Sequence, residues 1–381
     1  MIKLLIAGDF CPQDRIAGMI EKNDFSFFEE IRPITSSADY SIVNLECPIA
    51  DGTCKPIVKS GPNLKCSSKA LSAIKDGGFD GVTLANNHLN DYGEQAITMT
   101  FKELNSSGIN SVGAGRTLDE SNKPLIKEIY GKKIAIINFC ESEFSIATKY
   151  SAGASPLDLV DNQRNIAACR SYADFVIVIV HGGHEMHQLP SPMMQKTYRW
   201  FVEMGADAVI NHHQHCYNGY EIYNNRPIFY GLGNFCFDKS TYRNSIWNEG
   251  YMVMLKLDNE ISFDIIPYHQ CDANPTIQIM KYKDLEKFYH SLASLNNIIA
   301  DPLLVEADFE RYYKDSERSV LGLFSPYSNR YLRGAAQKGF IPALLPRKKI
   351  TRIYDYINCD AHRNIALRCL RDMMSRNENI T

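Results

Sequence analysis

The sequence predicts a layered α/β domain followed by a mainly helical extension, and three observations predict it. Eight short apolar runs rich in β-branched residues recur through the first 270 residues, and helical patterns separate them. After about residue 275 the texture changes to helical stretches rich in Tyr, Lys and Arg. The runs are nearly continuous rather than alternating, which is the pattern of strands buried on both faces of a sheet. These observations divide the chain into residues 1–270 and a basic C-terminal extension, 271–381.

In order, the strand candidates are KLLIAGD (3–9), YSIVNLE (40–46), GVTLANN (81–87), KKIAIINF (132–139), DFVIVIVHGG (174–183), DAVINHH (207–213), RPIFYGLGNF (226–235) and YMVMLKLD (251–258). Between them lie helical stretches such as SKALSAIKDGG (68–78), EQAITMTFKELNSSG (94–108) and SPMMQKTYRWFVEMG (191–205). The last two close on a glycine, as helix C-termini commonly do. A turn-rich break, LFSPYSN (323–329), interrupts the extension. Neither an internal repeat nor a low-complexity segment is visible.

Composition excludes several classes. With 45% hydrophobic and 22% charged residues and a net charge of -3, the chain reads as an ordinary globular protein, and no nucleic-acid partner is expected. The charge is unevenly placed: residues 281–381 carry 17 Lys and Arg against 12 Asp and Glu, and residues 1–280 carry 24 against 32. The opening MIKLLIAGDF is too short an apolar run for a signal peptide, and no later stretch of about 18 apolar residues could span a bilayer. The expectation is a cytoplasmic chain with reduced thiols, peripheral at the inner membrane face if the extension docks there. The eleven cysteines are scattered without a paired spacing.

The chemistry gathers where strands end. Asp9 closes the first run, Glu46 the second, Asn87 and His88 the third, His181 the fifth, and His213 with His215 the sixth. In open α/β sheets, ligands bind outside the carboxyl ends of the strands. Each residue also has a plainer reading: Asp9 as a helix cap, Glu46 as a surface charge, NNH as a hydrogen-bonded turn. Shared placement is what favours a site, and NHHQH, with His213 and His215 two apart, is its strongest local mark. A mixture of carboxylate, amide oxygen and imidazole suits Mn²⁺, Fe²⁺ or Zn²⁺, one or two per chain. Such an ion activates water and clamps phosphoryl oxygens while a free histidine protonates the leaving group. Asn87 is then the expected ligand and His88 the proton donor.

The ordered set GD (8–9), NLE (44–46), NNHLNDYG (86–93), GAGR (113–116), HGGHE (181–185), GADAVINHHQH (205–215) and RPIFYGLGNFCFD (226–238) resembles the CapA family of capsule and poly-gamma-glutamate synthesis proteins over roughly residues 2–268. That family is similar to the calcineurin-like metallophosphoesterases, so the resemblance implies a four-layer α/β/β/α sandwich around two metals. It implies Asp9 and His215 at the first metal, Glu46 bridging, and Asn87, His181 and His213 at the second, with His88 protonating the leaving oxygen. Glu185 matches a family position, and Asp91 with Tyr92 is expected to orient His88 or the substrate. Two residues depart from the superfamily pattern: Cys11 replaces a histidine, and Glu46 a shorter aspartate. Cys11 is left with two fates, metal ligand or core thiol. Asn234 is a further candidate for the cleft, and His184, His187 and His212 are expected to be structural or supporting.

The resemblance implies a metal-dependent hydrolase of capsule or surface-polymer synthesis, cleaving a phosphoester or amide-like bond with a metal-bound hydroxide. The alternative is a non-catalytic component that binds polymer or recruits a synthase. Expected partners are an anionic polymer or phosphorylated precursor and, through the basic extension, a membrane-associated synthase. The extension has a plainer reading as solvated helix surface.

Overall fold

The computed structural model describes residues 1–323, 327, 329–342, 347–358, 362, 366–367 and 369–370. Contacts divide the chain into a compact unit, Met1–Asp308, and a second unit, Phe309–Thr381. The strands are β1 (Ile2–Phe10), β2 (Tyr40–Leu45), β3 (Gly81–Thr83), β4 (Asn110–Val112), β5 (Ala114–Gly115), β6 (Leu125–Ile129), β7 (Lys132–Cys140), β8 (Gly153–Ala154), β9 (Phe175–His181), β10 (Ala208–His212), β11 (Tyr220–Tyr223), β12 (Arg226–Phe229), β13 (Asn234–Cys236), β14 (Glu249–Leu257), β15 (Ser262–Gln270) and β16 (Ile277–Ile279). One sheet has the order β16-β15-β14-β1-β2-β3-β4, with β13 also pairing β1. A second has the order β11-β12-β10-β9-β7-β6, and β5 and β8 form a small ribbon.

Alternating side chains sort these sheets into layers. On β1, Leu4 and Ile6 point into a core shared with Ile136 of β7, Ile177 and Ile179 of β9 and Ile210 of β10, so the two sheets face each other. The intervening Leu5 and Ala7 pack with Ile16, Ile20, Ala70, Ile74 and Ile97 from helices on the outer face. Across the second sheet, Ile137, Val178 and Val209 meet Ile166, Tyr198 and Phe201 of two further helices. The result is the four-layer α/β/β/α sandwich that the family resemblance implies.

Local chemistry explains the helices. Pro192–Glu203 begins at Ser191, whose hydroxyl accepts the Met194 N–H at 3.2 Å, with Pro192 where no N–H is needed. Its Met194, Tyr198, Phe201 and Val202 share one buried face, and burying a side chain such as Phe201 contributes about 1.5–3 kcal/mol. Gly93–Ser107 ends at Gly108, in the left-handed region at φ 72°.

The expected boundary at residue 270 falls inside the compact unit. β16 pairs β15, and helix Tyr282–Ile299 buries Phe288, Leu292 and Ile299, Phe288 lying 4.7 Å from the Tyr217 ring. Tyr282, Lys283, Lys287 and Tyr289 lie on that helix's exposed face. In the second unit, helix Arg330–Gln337 starts at Asn329, whose side chain accepts the Tyr331 N–H, and helix Arg347–Asn358 exposes Ile350 and Tyr354. Among the described residues, no helix is long and apolar enough to cross a membrane.

β1 positions the site by an unusually close backbone approach. A Cβ at Gly8 would lie 1.9 Å from the Gly233 carbonyl oxygen, and the Asp9 N–H donates to that same oxygen at 3.3 Å. The register sets Asp9 opposite Asn44 of β2 and Asn234 of β13. Gly8→Ala should therefore destabilise the protein by about 1–3 kcal/mol, the usual cost of overpacking, read from the urea midpoint. Gly18→Ala is the control: its helical site is open, and the change should be neutral or stabilising by about 0.5–1 kcal/mol.

Candidate metal centre

The parallel strands of both sheets end at one seam, and the register of β9 with β10 sets His181 beside His212. Asp9 is buried there, its Oδ1 accepting from Asn44 Nδ2 at 2.7 Å and His212 Nδ1 at 3.2 Å, its Oδ2 from the His213 N–H at 3.3 Å. Burial alone would raise its pKa, but the His212 hydrogen bond and then the electrostatic attraction of the His212, His181 and His215 rings outweigh it. The carboxyl is held well below the usual range.

Glu46, just past β2, is the opposite case. It is fully buried and neither carboxylate oxygen has a hydrogen-bond partner, although His181 Nε2 lies 3.5 Å and His215 Nε2 3.8 Å from Oε1. Burial and then the neighbouring Asp9 charge push its pKa well above the ordinary value. An ionised carboxylate in that position is costly unless a cation accompanies it.

Imidazoles surround the pair. His213 Nδ1 stands 3.2 Å from His181 Nε2, which is itself 3.0 Å from Asn87 Oδ1. Burial lowers the pKa of His181, His213 and His215; His213 pushes His181 further, and His215 pushes His213 down to about 4. Neutral rings keep a lone pair for a metal. His213 and His215 reach inward from a turn in the left-handed region, at φ 98° and 57°, a strained conformation for residues with a Cβ. Asn234 Oδ1 accepts from His215 Nδ1 at 2.9 Å, which leaves His215 Nε2 facing Glu46.

Donor atoms within 4.8 Å of one another fall into two groups, Glu46 with His181 and His213, and Asp9 with Glu46 and His215. Glu46 is common to both. The two donor-less oxygens of Glu46 and the oxygen and imidazole donors around them fit divalent cations, with Asn87 Oδ1 beside the first group.

His88 stands next to this cluster. Its Nδ1 is 2.6 Å from Asp91 Oδ2, and its N–H donates to Asn86 Oδ1, while Asn86 Nδ2 ties the turn to the Leu45 carbonyl. Asp91 thus holds the His88 ring through Nδ1. Glu185 is exposed on the turn after Gly183, near enough for its charge to act on His213 and His215 but without a hydrogen bond to the donors. Cys11 takes the second of its two fates: it is buried in the core beneath β1, 3.5 Å from Gln13 Nε2, and belongs to neither donor group. His212 holds Asp9, and His187 pairs with Asp308 at 3.1 Å, so both support the structure around the seam.

Sequence reasoning missed Asn44 and Lys59. Asn44 lies inside NLE, where only Glu46 drew notice; its Nδ2 reaches Asp9 and His181, and its Oδ1 accepts from Thr83 at 3.1 Å and Asn86 at 3.3 Å. The buried strand position was the available signal. Lys59 comes from an irregular loop and carries no signal at all.

The model of the bacterial capsule synthesis protein family PGA_cap matches residues 3–239, a span that contains every residue of this cluster. The chain belongs to that family. PGA_cap relatives include the capsule biosynthesis protein CapA of Bacillus anthracis, 29% identical over 285 residues that cover 72% of this chain and 69% of that protein. The PGA biosynthesis protein CapA of Bacillus subtilis is also 29% identical, over 67% of this chain and 68% of its own. Among solved structures, a phosphatase of Mycoplasma pneumoniae aligns at a TM-score of 0.45 and 16% identity, over 76% of this chain and 98% of that one.

Metal analysis after dialysis against Zn²⁺ or Mn²⁺ checks the centre. His213→Ala should lose most bound metal, while Cys11→Ala should leave metal content unchanged. Metal at about 100 times its Kd should stabilise the wild-type protein by about 2.7 kcal/mol, and His213→Ala should lose most of that gain.

Proposed function

We propose that this PGA_cap chain is a metal-dependent hydrolase that cleaves a phosphoester or amide-like bond in an anionic surface-polymer precursor. The observation that carries the reading is the conjunction of two donor groups sharing Glu46 with an oriented histidine beside them. Asp9, Glu46, Asn87, His181, His213 and His215 would hold the ions. Bound divalent cations supply Lewis acidity, polarising a phosphoryl or carbonyl oxygen and acidifying water.

The protein's own groups do the rest. Nδ1 of His88 is occupied by Asp91, so Nε2 is the nitrogen that holds a proton for the departing oxygen or nitrogen. The buried seam excludes bulk water from the donor atoms, which strengthens every charge interaction there. An anionic substrate is consistent with a centre whose ligands include only two carboxylates, and the polymer-synthesis names of the relatives point to the same class.

A second reading is favoured by the second unit. Exposed Lys349 and Arg352 share helix Arg347–Asn358 with exposed Ile350 and Tyr354, a combination that suits an anionic polymer or a membrane-associated synthase. In that reading the chain binds polymer or recruits the synthase without turnover.

The test is a screen of metal-loaded protein against phosphoesters and γ-glutamyl amides. His88→Asn should keep fold and metal and lower turnover by roughly 10²–10⁴-fold, the usual worth of a general acid. The loss should shrink for substrates with good leaving groups. Equal losses for all leaving groups would remove His88 from proton transfer, and no turnover of any substrate would leave the binding reading.

A further inference from the structure

The two turns that meet at the seam are braced differently. The turn of Asn87 and His88 is tied from its flanks, by Asn86 and by Asp91, whose Oδ1 pairs with the Lys59 ammonium. The turn of His213 and His215 runs through the left-handed region, and such strain persists only where the surroundings fix it. What fixes it here stands on β10 itself.

Asn211 is fully buried, with Oδ1 2.6 Å from the Tyr198 hydroxyl. Its Nδ2 faces four oxygens: the carbonyls of Gly182 at 2.9 Å, His212 at 2.8 Å and Tyr230 at 3.0 Å, and Gln214 Oε1 at 2.7 Å. An amide nitrogen has two hydrogens to give, and an amide oxygen only accepts. Turned end for end, this amide would set its oxygen against four others, so Tyr198 donates to Oδ1 and Nδ2 faces the turn. The His212 and Tyr230 carbonyls have other donors, the Gly182 N–H at 3.2 Å and Gln214 Nε2 at 2.8 Å. Among the described residues, the Gly182 carbonyl and Gln214 Oε1 have Asn211 alone, and the two hydrogens are assigned to them.

Those two acceptors bear on all three imidazoles. Gly182 follows His181, and Gln214 stands between His213 and His215. One side chain therefore spans the end of β9 and the turn after β10, the two segments whose separation sets His181 Nε2 3.2 Å from His213 Nδ1. Gln214 is held in turn, its Nε2 lying 3.8 Å from Met194 Sδ and its backbone carbonyl accepting the Met186 N–H at 2.8 Å. Helix Pro192–Glu203 supplies both Tyr198 and Met194, so its buried face does more than pack.

We propose that Asn211 is the positioning residue of the imidazole cluster: its amide holds the peptide after His181 and the side chain between His213 and His215 at a fixed separation, and the Tyr198 hydroxyl fixes which way that amide points. The assignment rests on the reading of the cluster as a metal centre. It places the control of donor spacing on a residue that touches no ion.

The test titrates the metal-free full chain with Co²⁺, whose visible band reports the geometry of its ligands. Asn211→Ala should raise the Co²⁺ Kd roughly 10- to 100-fold and shift the band, the usual effect of removing a group that orients ligands. Tyr198→Phe should cause a smaller rise in the same direction. Ile166→Ala, which empties a fully buried site in the core of the second sheet, is the control for stability alone: it should lower the urea midpoint and leave the Kd unchanged. An unchanged Kd in folded Asn211→Ala, or an equal rise in Ile166→Ala, overturns the proposal. If Asn211→Ala does not fold, Tyr198→Phe decides by the same two comparisons. If the wild-type chain takes up no Co²⁺, the metal reading falls, and amide hydrogen exchange of the metal-free protein still decides for Asn211. Exchange across residues 182–186 and 212–216 should then be faster in the folded variant than in the wild type, and unchanged exchange there sinks the assignment.

Discussion

Everything at the seam depends on two carboxylates buried a few ångströms from the same imidazoles. Asp9 is supplied with donors and stays ionised; Glu46 is supplied with none. That asymmetry gives the centre its electrostatic character, because the protein satisfies one acid internally and leaves the other without a hydrogen-bond partner. Burial makes the difference large: in water both groups would be solvated, whereas in a low-dielectric cleft an unmatched acceptor raises its own pKa and attracts positive charge. The histidines answer the same constraint, since burial keeps them neutral and available.

The fold serves this arrangement by registering strand ends. β1, β2 and β3 deliver Asp9, Glu46 and Asn87 from one sheet, and β9 with the turn after β10 delivers His181, His213 and His215 from the other. The close contact of Gly8 with Gly233 lets β13 lie against the end of β1, which brings Asn234 to His215. Supporting amides brace most of the cluster: Asn44 holds Asp9, Asn86 the turn of His88, and Asn234 His215, while Glu46 has no such brace. Such bracing is the usual means of keeping a site preorganised.

Much of this was legible in the sequence, for physical reasons. Strands buried on both faces read as unbroken apolar runs, so β1, β2, β7, β9, β10 and β14 stood out, and the polar residues ending them marked the seam. β6 and β11 escaped because edge strands are half exposed, with side chains such as Glu128 and Ile222 facing outward. The boundary at 270 was set too early because amphipathic Tyr282–Ile299 shows mainly its polar face in composition while burying Phe288 and Leu292. At the centre, residues that project from strand ends were found. Lys59, which acts from an irregular loop, has no periodic signature, and Asn44, buried inside β2, acts only through its neighbours Asp9 and His181. Cys11 could not be assigned from spacing, since whether a side chain at the end of β1 turns to the seam or to the helix layer is a matter of strand pleat.

Because the donors come from both sheets, an ion held at the seam would be more than a reagent. It would act as a rivet between two halves that meet largely through apolar side chains such as Leu4, Ile6, Ile177 and Ile210, with hydrogen bonds such as His212 to Asp9 at the seam itself. Apolar contacts resist separation without direction, so the sheets can slide a little at small cost. Ligands fixed in number and direction do not permit sliding. Occupancy of the centre would therefore set how stiff the sandwich is along its least constrained coordinate.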